Sequence, residues 1–179
     1  YYGYIFTRKD SGIKNYKNLK GKLFAFVDEG SGSGFKFPVA MMINNWKINP
    51  KQYFKKTLFL GNHPNVIDAV YKRQAHAGAT WMYPFDEKVS KLGKNPFKIL
   101  LRTPPIPSDA FTVSPTTDEE TVKKLRKILL SINKDTKTSA GQSVIKDFYY
   151  LGFTVKNNAF YDIIRKTAET INIWKKNKK

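Results

Sequence analysis

The sequence predicts an α/β fold, a sheet covered on both faces by helices, and two observations carry that prediction. Five short, β-rich apolar runs alternate with segments of helical period up to residue 102, and from residue 116 helical patterns follow one another with no strand between them. The chain has 179 residues with 41% hydrophobic and 15% aromatic content, enough for one sizeable core or two small lobes sharing one.

The first strand is read in "YIFTRK" (4 to 9) and the second in "KLFAFV" (22 to 27). A loose turn, "DEGSGSGFKFP" (28 to 38), then leads into a helix whose Phe35, Val39, Met42, Ile43 and Trp46 share one face. "TLFL" (57 to 60) is the third strand, and after "GNHP" a helix turns Val66, Ile67, Val70 and Tyr71 inward. "AGATWM" (77 to 82) and "FKILLR" (97 to 102) complete the strands, and the Pro-rich "TPPIPSDAFTVSP" (103 to 115) behaves as a crossing segment. Beyond it, "TDEE" (Thr117 to Glu120) forms a capping box before Val122, Leu125, Ile128, Leu129 and Ile132. "SAGQ" (Ser139 to Gln142) opens another helix, carrying Ile145, Phe148 and Tyr149. A last helix covers about Ala159 to Trp174, with Ile163, Ile164, Thr167 and Ile171 inward. The chain thus reads as an α/β lobe over residues 1–102, followed over 103–179 by a crossing segment and a helical return.

Composition narrows the chemistry. Thirty-two Lys and Arg against 14 Asp and Glu give a formal charge of +18, which attracts anions, whether small ligands, nucleic acid or acidic membranes. The absence of Cys removes disulfides, thiolate catalysis and sulfur-ligated metals. Two His, His63 and His76, with no H-x-x-x-H and no paired-carboxylate spacing, speak against a metal site or a His-based triad, so no catalytic residue and no cofactor is assigned. No stretch of about 18 apolar residues is present to span a membrane.

Strand, glycine-rich turn, helix is the arrangement in which unpartnered backbone N–H groups converge on an anion, with Gly allowing close approach and Ser adding hydroxyl donors. Ser31, Gly32, Ser33 and Gly34 meet that need; the other reading of the same residues is a tight turn with Ser33 as N-cap. "LGNHPNVIDAV" repeats the geometry, with Gly61, His63 at the N-cap and Pro64 at the first helical position. There His63 either donates to an anionic oxygen or only caps its helix. Both turns face the carboxyl ends of strands, where open α/β sheets bind ligands. Asp28 and Glu29 are polar edges of such a site or turn residues, and Trp81, Tyr83 and Phe85 are core, rim or a platform for a ligand ring.

Three stretches together resemble the phosphonate, phosphate and phosphite substrate-binding proteins of ABC transporters, a branch of the type II periplasmic-binding fold. The opening "YYGYIFTRKDSGIKNYKNLKGKLFAFVDEGSGSGFKFP" looks like that family's Tyr-led strand, "R-K-D-S-G-I", "L-K-G-K" and "S-T-S-G-x-x-x-P" series. "GNHPNVIDAV" is similar to its "G-S-H-x-x-x-x-x-A-V", and "PPIPSDAF" to its "P-x-I-P-x-D-P". The resemblance covers roughly the first 115 residues and implies a two-lobed type II binding protein whose first lobe is incomplete here, the family's N-terminal portion of about a hundred residues being missing.

By position, the resemblance implies that Ser31, Ser33 and His63 donate to the oxyanion together with the turn backbone at Gly32 and Gly34. Tyr1 would be a partner from the crossing strand and Asp109 a carboxylate from the return segment. The implied function is noncatalytic capture of a phosphonate, phosphate or phosphite for an ABC permease. The implied location is periplasmic or otherwise extracytoplasmic, with membrane anchoring through a preceding segment as one form of it. Two features depart from the pattern: Gly32 replaces a usual Thr, removing a hydroxyl donor, and His76 replaces a usual Asp, which argues against an aminoalkyl phosphonate.

Three alternatives belong beside this reading. One is the ligand-sensing input domain of a membrane receptor, coupled to a signalling domain, although the terminal "KKNKK" favours an ending over a following membrane helix. A second is capture of a larger phosphate ester such as thiamine diphosphate, with Trp81 and Tyr83 against its ring. The third, nucleic-acid binding, rests on charge alone and is set aside; it would show affinity falling steeply with log salt.

Overall fold

The computed structural model describes residues 1–145 and 149–176. The chain forms two compact units, one made of Tyr1–Pro107 with Tyr161–Lys179, the other of Ser108–Phe160. In the first, strands β1 (Gly3–Arg8), β2 (Leu23–Phe26), β3 (Lys56–Phe59), β4 (Ala77–Trp81) and β5 (Phe97–Arg102) build one sheet in the order β3-β2-β4-β1-β5. All five lie within one or two residues of their predicted bounds. β2 runs parallel to β3 and β4, while β1 runs antiparallel to β4 and β5.

The alternation of side chains along the strands divides the core into two layers. Ile5, Phe24, Phe26, Ala77 and Ala79 face one side, against Val39 and Met42 of α1 (Phe37–Asn44) and Phe54 beyond the short α2 (Pro50–Tyr53). Tyr4, Phe6, Ala25 and Val27 face the other, against Val66, Ile67 and Val70 of α3 (His63–Tyr71) and Phe85 of α4 (Met82–Lys91). The sheet is therefore covered on both faces, as its apolar strands require. Phe85 is core, and α4 is a helix that the sequence reading did not assign: no side chain caps it and Pro84 sits in its first turn.

In the second unit, α5 (Glu119–Ser131) begins one residue later than the capping box predicts, because Asp118 rather than Thr117 is its cap and accepts from the Thr121 amide at 2.8 Å. No residue of α5 is fully buried: of its predicted inward stripe Leu125 and Ile128 are exposed, while Val122, Leu129 and the following Ile132 are half-buried. The helix predicted from "SAGQ" is absent from the described residues. Thr138 N–H donates to Gln142 O, Val144 N–H to Thr136 O, and Lys137 bridges Ser143, a tight turn in place of a helix. Gly141 sits at φ 75°, outside the right-handed helical region. Ile145 is buried, Tyr149 is exposed, and Phe148 lies outside the described residues.

The last helix, α6 (Asp162–Lys176), belongs to the first unit and packs on α1. Thr167 and Ile171 are buried as expected, but Ile164 is exposed. Because β2 and β4 are parallel and β1 is antiparallel to β4, the carboxyl ends of β2 and β4 and the amino end of β1 lie at one end of the sheet. The residues following β2 and β3, and those opening β1, are thereby brought to one place.

Candidate functional site

The turn after β2 is built by its own polar groups. Asp28 Oδ1 accepts from the amides of Gly30 (2.7 Å) and Ser31 (2.9 Å), so Asp28 is a turn-forming residue. Ser31 Oγ accepts from Gly34 N at 3.0 Å, which makes Ser31 the N-cap in place of the predicted Ser33. The first turn is wide: Lys36 N–H reaches back five residues to Ser31 O (2.9 Å), and Phe37 N–H reaches Gly32 O. The amides of Gly32 and Ser33 precede that first bond and have no carbonyl within the helix to donate to.

Two glycines make the turn possible by closeness. A Cβ on Gly34 would stand 2.4 Å from Val27 Cγ2, and one on Gly3 would stand 3.1 Å from Ser33 O and 3.0 Å from Thr103 Cγ2. Strand β1 therefore runs against Ser33, which is 4% exposed, and leaves Ser31 as the more accessible hydroxyl. Thr103 Oγ1 accepts from Gly3 N at 2.8 Å and holds the start of the crossing segment to the same place.

His63 is the first residue of α3, and the cap is Asn62, whose side chain accepts from Asn65 N at 2.8 Å. The ring is thus released from capping. Its Nδ1 lies 3.0 Å from Oγ1 of Thr80, a fully buried hydroxyl on β4. Burial pushes the imidazole down to about 4, against a smaller upward pull from the Asp28 carboxylate, so His63 is neutral near pH 7.

Tyr1 extends β1: its N and O pair with Ile106 O (2.9 Å) and Ile106 N (2.7 Å). Its hydroxyl lies 3.5 Å from where a Cβ on Gly32 would be. The ring meets Trp81 edge to face at 5.5 Å, Trp81 lies 5.8 Å from the His63 ring, and Tyr83 stands perpendicular to Trp81 at 5.1 Å. Tyr1 and His63 thus both meet the Trp81 ring, and the Tyr1 hydroxyl reaches the turn at Gly32. Asp109 is exposed in the second unit.

Thr80 is the residue that sequence reading missed. Its signal was the alternation in "AGATW", which points a hydroxyl into the sheet's packed face. His76 requires a correction of a different kind. It pairs with Leu23 at the amino end of β4, its Nδ1 accepting from Leu23 N at 3.3 Å, about 16 Å of strand away from the turn end. Its replacement of Asp therefore carries no argument about ligand recognition at the turn end. Glu29 pairs with Lys175, at 2.6 Å.

A family model described as ABC transporter, phosphonate, periplasmic substrate-binding protein matches residues 1–161. The chain belongs to this family. Three solved structures share its fold. A Xanthomonas citri protein bound to ATP has a TM-score of 0.75 and 22% identity, with 99% of this chain and 68% of that one covered. The binding component of a Pseudomonas aeruginosa ABC phosphonate transporter gives 0.72 and 21%, covering 94% of this chain and 56% of that one. PhnD1 of Prochlorococcus marinus, in complex with methylphosphonate, gives 0.68 and 20%, covering 96% and 66%. This family member thus spans 56% to 68% of the length of these proteins, and its type II binding fold is an incomplete one. Among the described residues, no helix is long and apolar enough to cross a membrane, and no group of three His, Asp or Glu side chains is placed to hold a metal ion.

The depressed His63 value sets a pH dependence. The unfolded chain takes up a proton near 6.5 that the folded chain resists until about 4, so this contribution is complete above pH 6.5 and is lost as pH falls from there toward 4. With 1.36 kcal/mol per pKa unit, discounted for the ring's partial exposure, it amounts to about 1–2 kcal/mol. Thermal melts from pH 7 to 4 are expected to show a shallower decline for His63→Gln than for the parent. Part of the slope persists, because burial also lowers His76. An unchanged slope would mean that His63 is not buried in its neutral form.

Proposed function

We propose that this chain forms the ligand-binding part of an extracytoplasmic solute-binding protein that captures a phosphonate, phosphate or phosphite-type oxyanion for an ABC importer. The observation that supports this reading best is the gathering of the serine turn, His63 and Tyr1 at one end of the sheet. Nδ1 of neutral His63 lies 3.0 Å from Thr80 Oγ1; in this reading the Thr80 hydroxyl donates to it, leaving the ring proton on Nε2 for an anionic oxygen. Ser31 accepts from Gly34 N and still has its own hydrogen to give. The free amides of Gly32 and Ser33 and the helix dipole complete a positive pole without a buried cation. In this reading Asp109 accepts from a protonated ligand oxygen or pairs with a ligand amine, the role that the resemblance implies for it. Residues 1–102 carry the oxyanion donors and 103–179 the return, and the loaded protein docks on its permease outside the cytoplasmic membrane.

Gly32 offers a gain-of-function test. A Cβ there meets only Tyr1 Oη, at an ordinary 3.5 Å, so the turn tolerates a side chain. Gly32→Thr is expected to add a hydroxyl to the anion and tighten binding by about 1.5–3 kcal/mol, the worth of a charge-assisted hydrogen bond. Weaker binding would mean that the ligand occupies the space above Gly32.

The ligand is identified by calorimetry and thermal shift on the chain, and on any longer natural form of it, with phosphate, phosphite, methylphosphonate, aminoethylphosphonate and thiamine diphosphate. A saturable shift that grows with concentration is expected for one of the small anions. Silence towards all five would overturn the proposal. The perpendicular Trp81 and Tyr83 rings beside His63 favour a second reading, a phosphate ester with a flat ring. In that case thiamine diphosphate displaces free phosphate, and Trp81→Leu weakens the ester far more than the inorganic anion.

A further inference from the structure

We propose that the last turn of α6 positions the oxyanion turn, with Trp174 and Lys175 as its positioning residues; this rests on the binding role given above to Ser31–Gly34. The helix end meets the turn through two residues. Lys175 Nζ lies 2.6 Å from Oε2 of Glu29, which immediately follows the Asp28 that holds the amides of Gly30 and Ser31. Trp174 lies 6.2 Å from the ring of Phe35, the residue that follows Gly34.

Trp174 is itself fixed. Its Nε1–H donates to Asn49 Oδ1 at 2.9 Å, the side chain that caps α2, and Lys51 Nζ stands 4.8 Å over its ring. One turn earlier, Ile171 is buried in the same core layer as Phe35 and Phe26. A rigid side chain anchored at both ends thus bears on Phe35 while an ion pair bears on Glu29. α6 lies outside the residues matched by the family model, so this bracing is read from this chain alone.

The chemical consequence is pre-organisation. Donors held in place before the anion arrives lose less freedom on binding, so loosening the brace weakens affinity without removing any donor. The two contacts differ in weight. The Lys175–Glu29 pair, with side chains 36% and 58% exposed, is screened by solvent, whereas Trp174 packs on Phe35 and the core layer.

The test reads the turn directly, without a ligand. In the full chain, hydrogen exchange is followed at the protected amides of Ser31, Gly34, Lys36 and Phe37, whose acceptors are all within residues 28–32. Trp174→Leu is expected to speed their exchange about tenfold while the β1 and β4 amides stay unchanged. Lys175→Glu is expected to give roughly 2–5-fold, reversed by adding Glu29→Lys. Ile171→Val serves as a control that lowers the melting temperature without singling out the turn. Unchanged exchange in Trp174→Leu, or an equal rise throughout the sheet, would overturn the proposal. A parallel titration with methylphosphonate and phosphate separates the two claims. If the parent binds neither anion, the positioning of a binding site falls with the binding reading, whatever the exchange shows. If the parent binds and Trp174→Leu binds equally well, the positioning role alone is overturned.

Discussion

Gly34→Ala is expected to destabilise the chain by roughly 2–4 kcal/mol, combining overpacking with a displaced helix cap. The added Cβ falls 2.4 Å from Val27 Cγ2, 2.7 Å from Val27 Cβ and 2.8 Å from Ser31 Oγ, so it collides with the strand end and the capping hydroxyl together. Neither side yields easily: Val27 is 3% exposed in the layer below the sheet, and Val27 N–H is tied to Gly34 O at 3.3 Å. Chemical denaturation with circular dichroism measures the loss. Adding Val27→Ala removes the nearest methyl but keeps the Cβ contact, so partial recovery is the expected outcome. A Gly34→Ala chain as stable as the parent would show that the turn is looser than its packing implies. Anion binding should fall with stability, because the Gly32 and Ser33 amides are aimed by the same backbone.

Replacing Ser31 and Ser33 together with Ala is expected to weaken oxyanion binding by about 3 kcal/mol or more, at about 1.5–3 kcal/mol per hydrogen bond to a charged ligand. Most of that loss should come from Ser31, because Ser33 is 4% exposed and its hydroxyl is the less accessible. Ser31→Ala also removes a helix cap worth about 1 kcal/mol, which would blur the interpretation. Ser31→Asp separates the effects. Aspartate caps as well as serine does, so the melting temperature holds, while its carboxylate repels the anion and binding disappears. Calorimetry on the three variants decides the matter, and retention of full affinity by the double Ala variant would exclude the assigned site.

Much of this was legible because it is local. Apolar runs of strand length, bounded by Gly, Pro and Asn, located all five strands, and the glycine-serine stretch announced a helix start with spare amides. Cap positions were less legible. Ser31, Asn62 and Asp118 cap where Ser33, His63 and Thr117 were expected, since neighbouring polar residues compete and the path of the entering chain chooses among them. For His63 the shift matters, because it frees the ring. The "SAGQ" pattern failed for a related reason: a capping signal needs helical backbone after it, and Gly141 takes a left-handed turn there.

By itself the sequence determined the class of fold, the excess of positive charge, the absence of thiol chemistry and a glycine-serine turn opening a helix with spare backbone amides. These follow from residue type and spacing, which act over a few positions. Only the tertiary structure decided which residues share a place. The antiparallel insertion of β1 beside β4 brings Tyr1 to Gly32, the pairing of strands puts Thr80 beneath His63, and the return of α6 sets Lys175 against Glu29 across 146 positions. Such contacts depend on strand order and on the packing of one layer against the next, neither of which is encoded in any local stretch of residues.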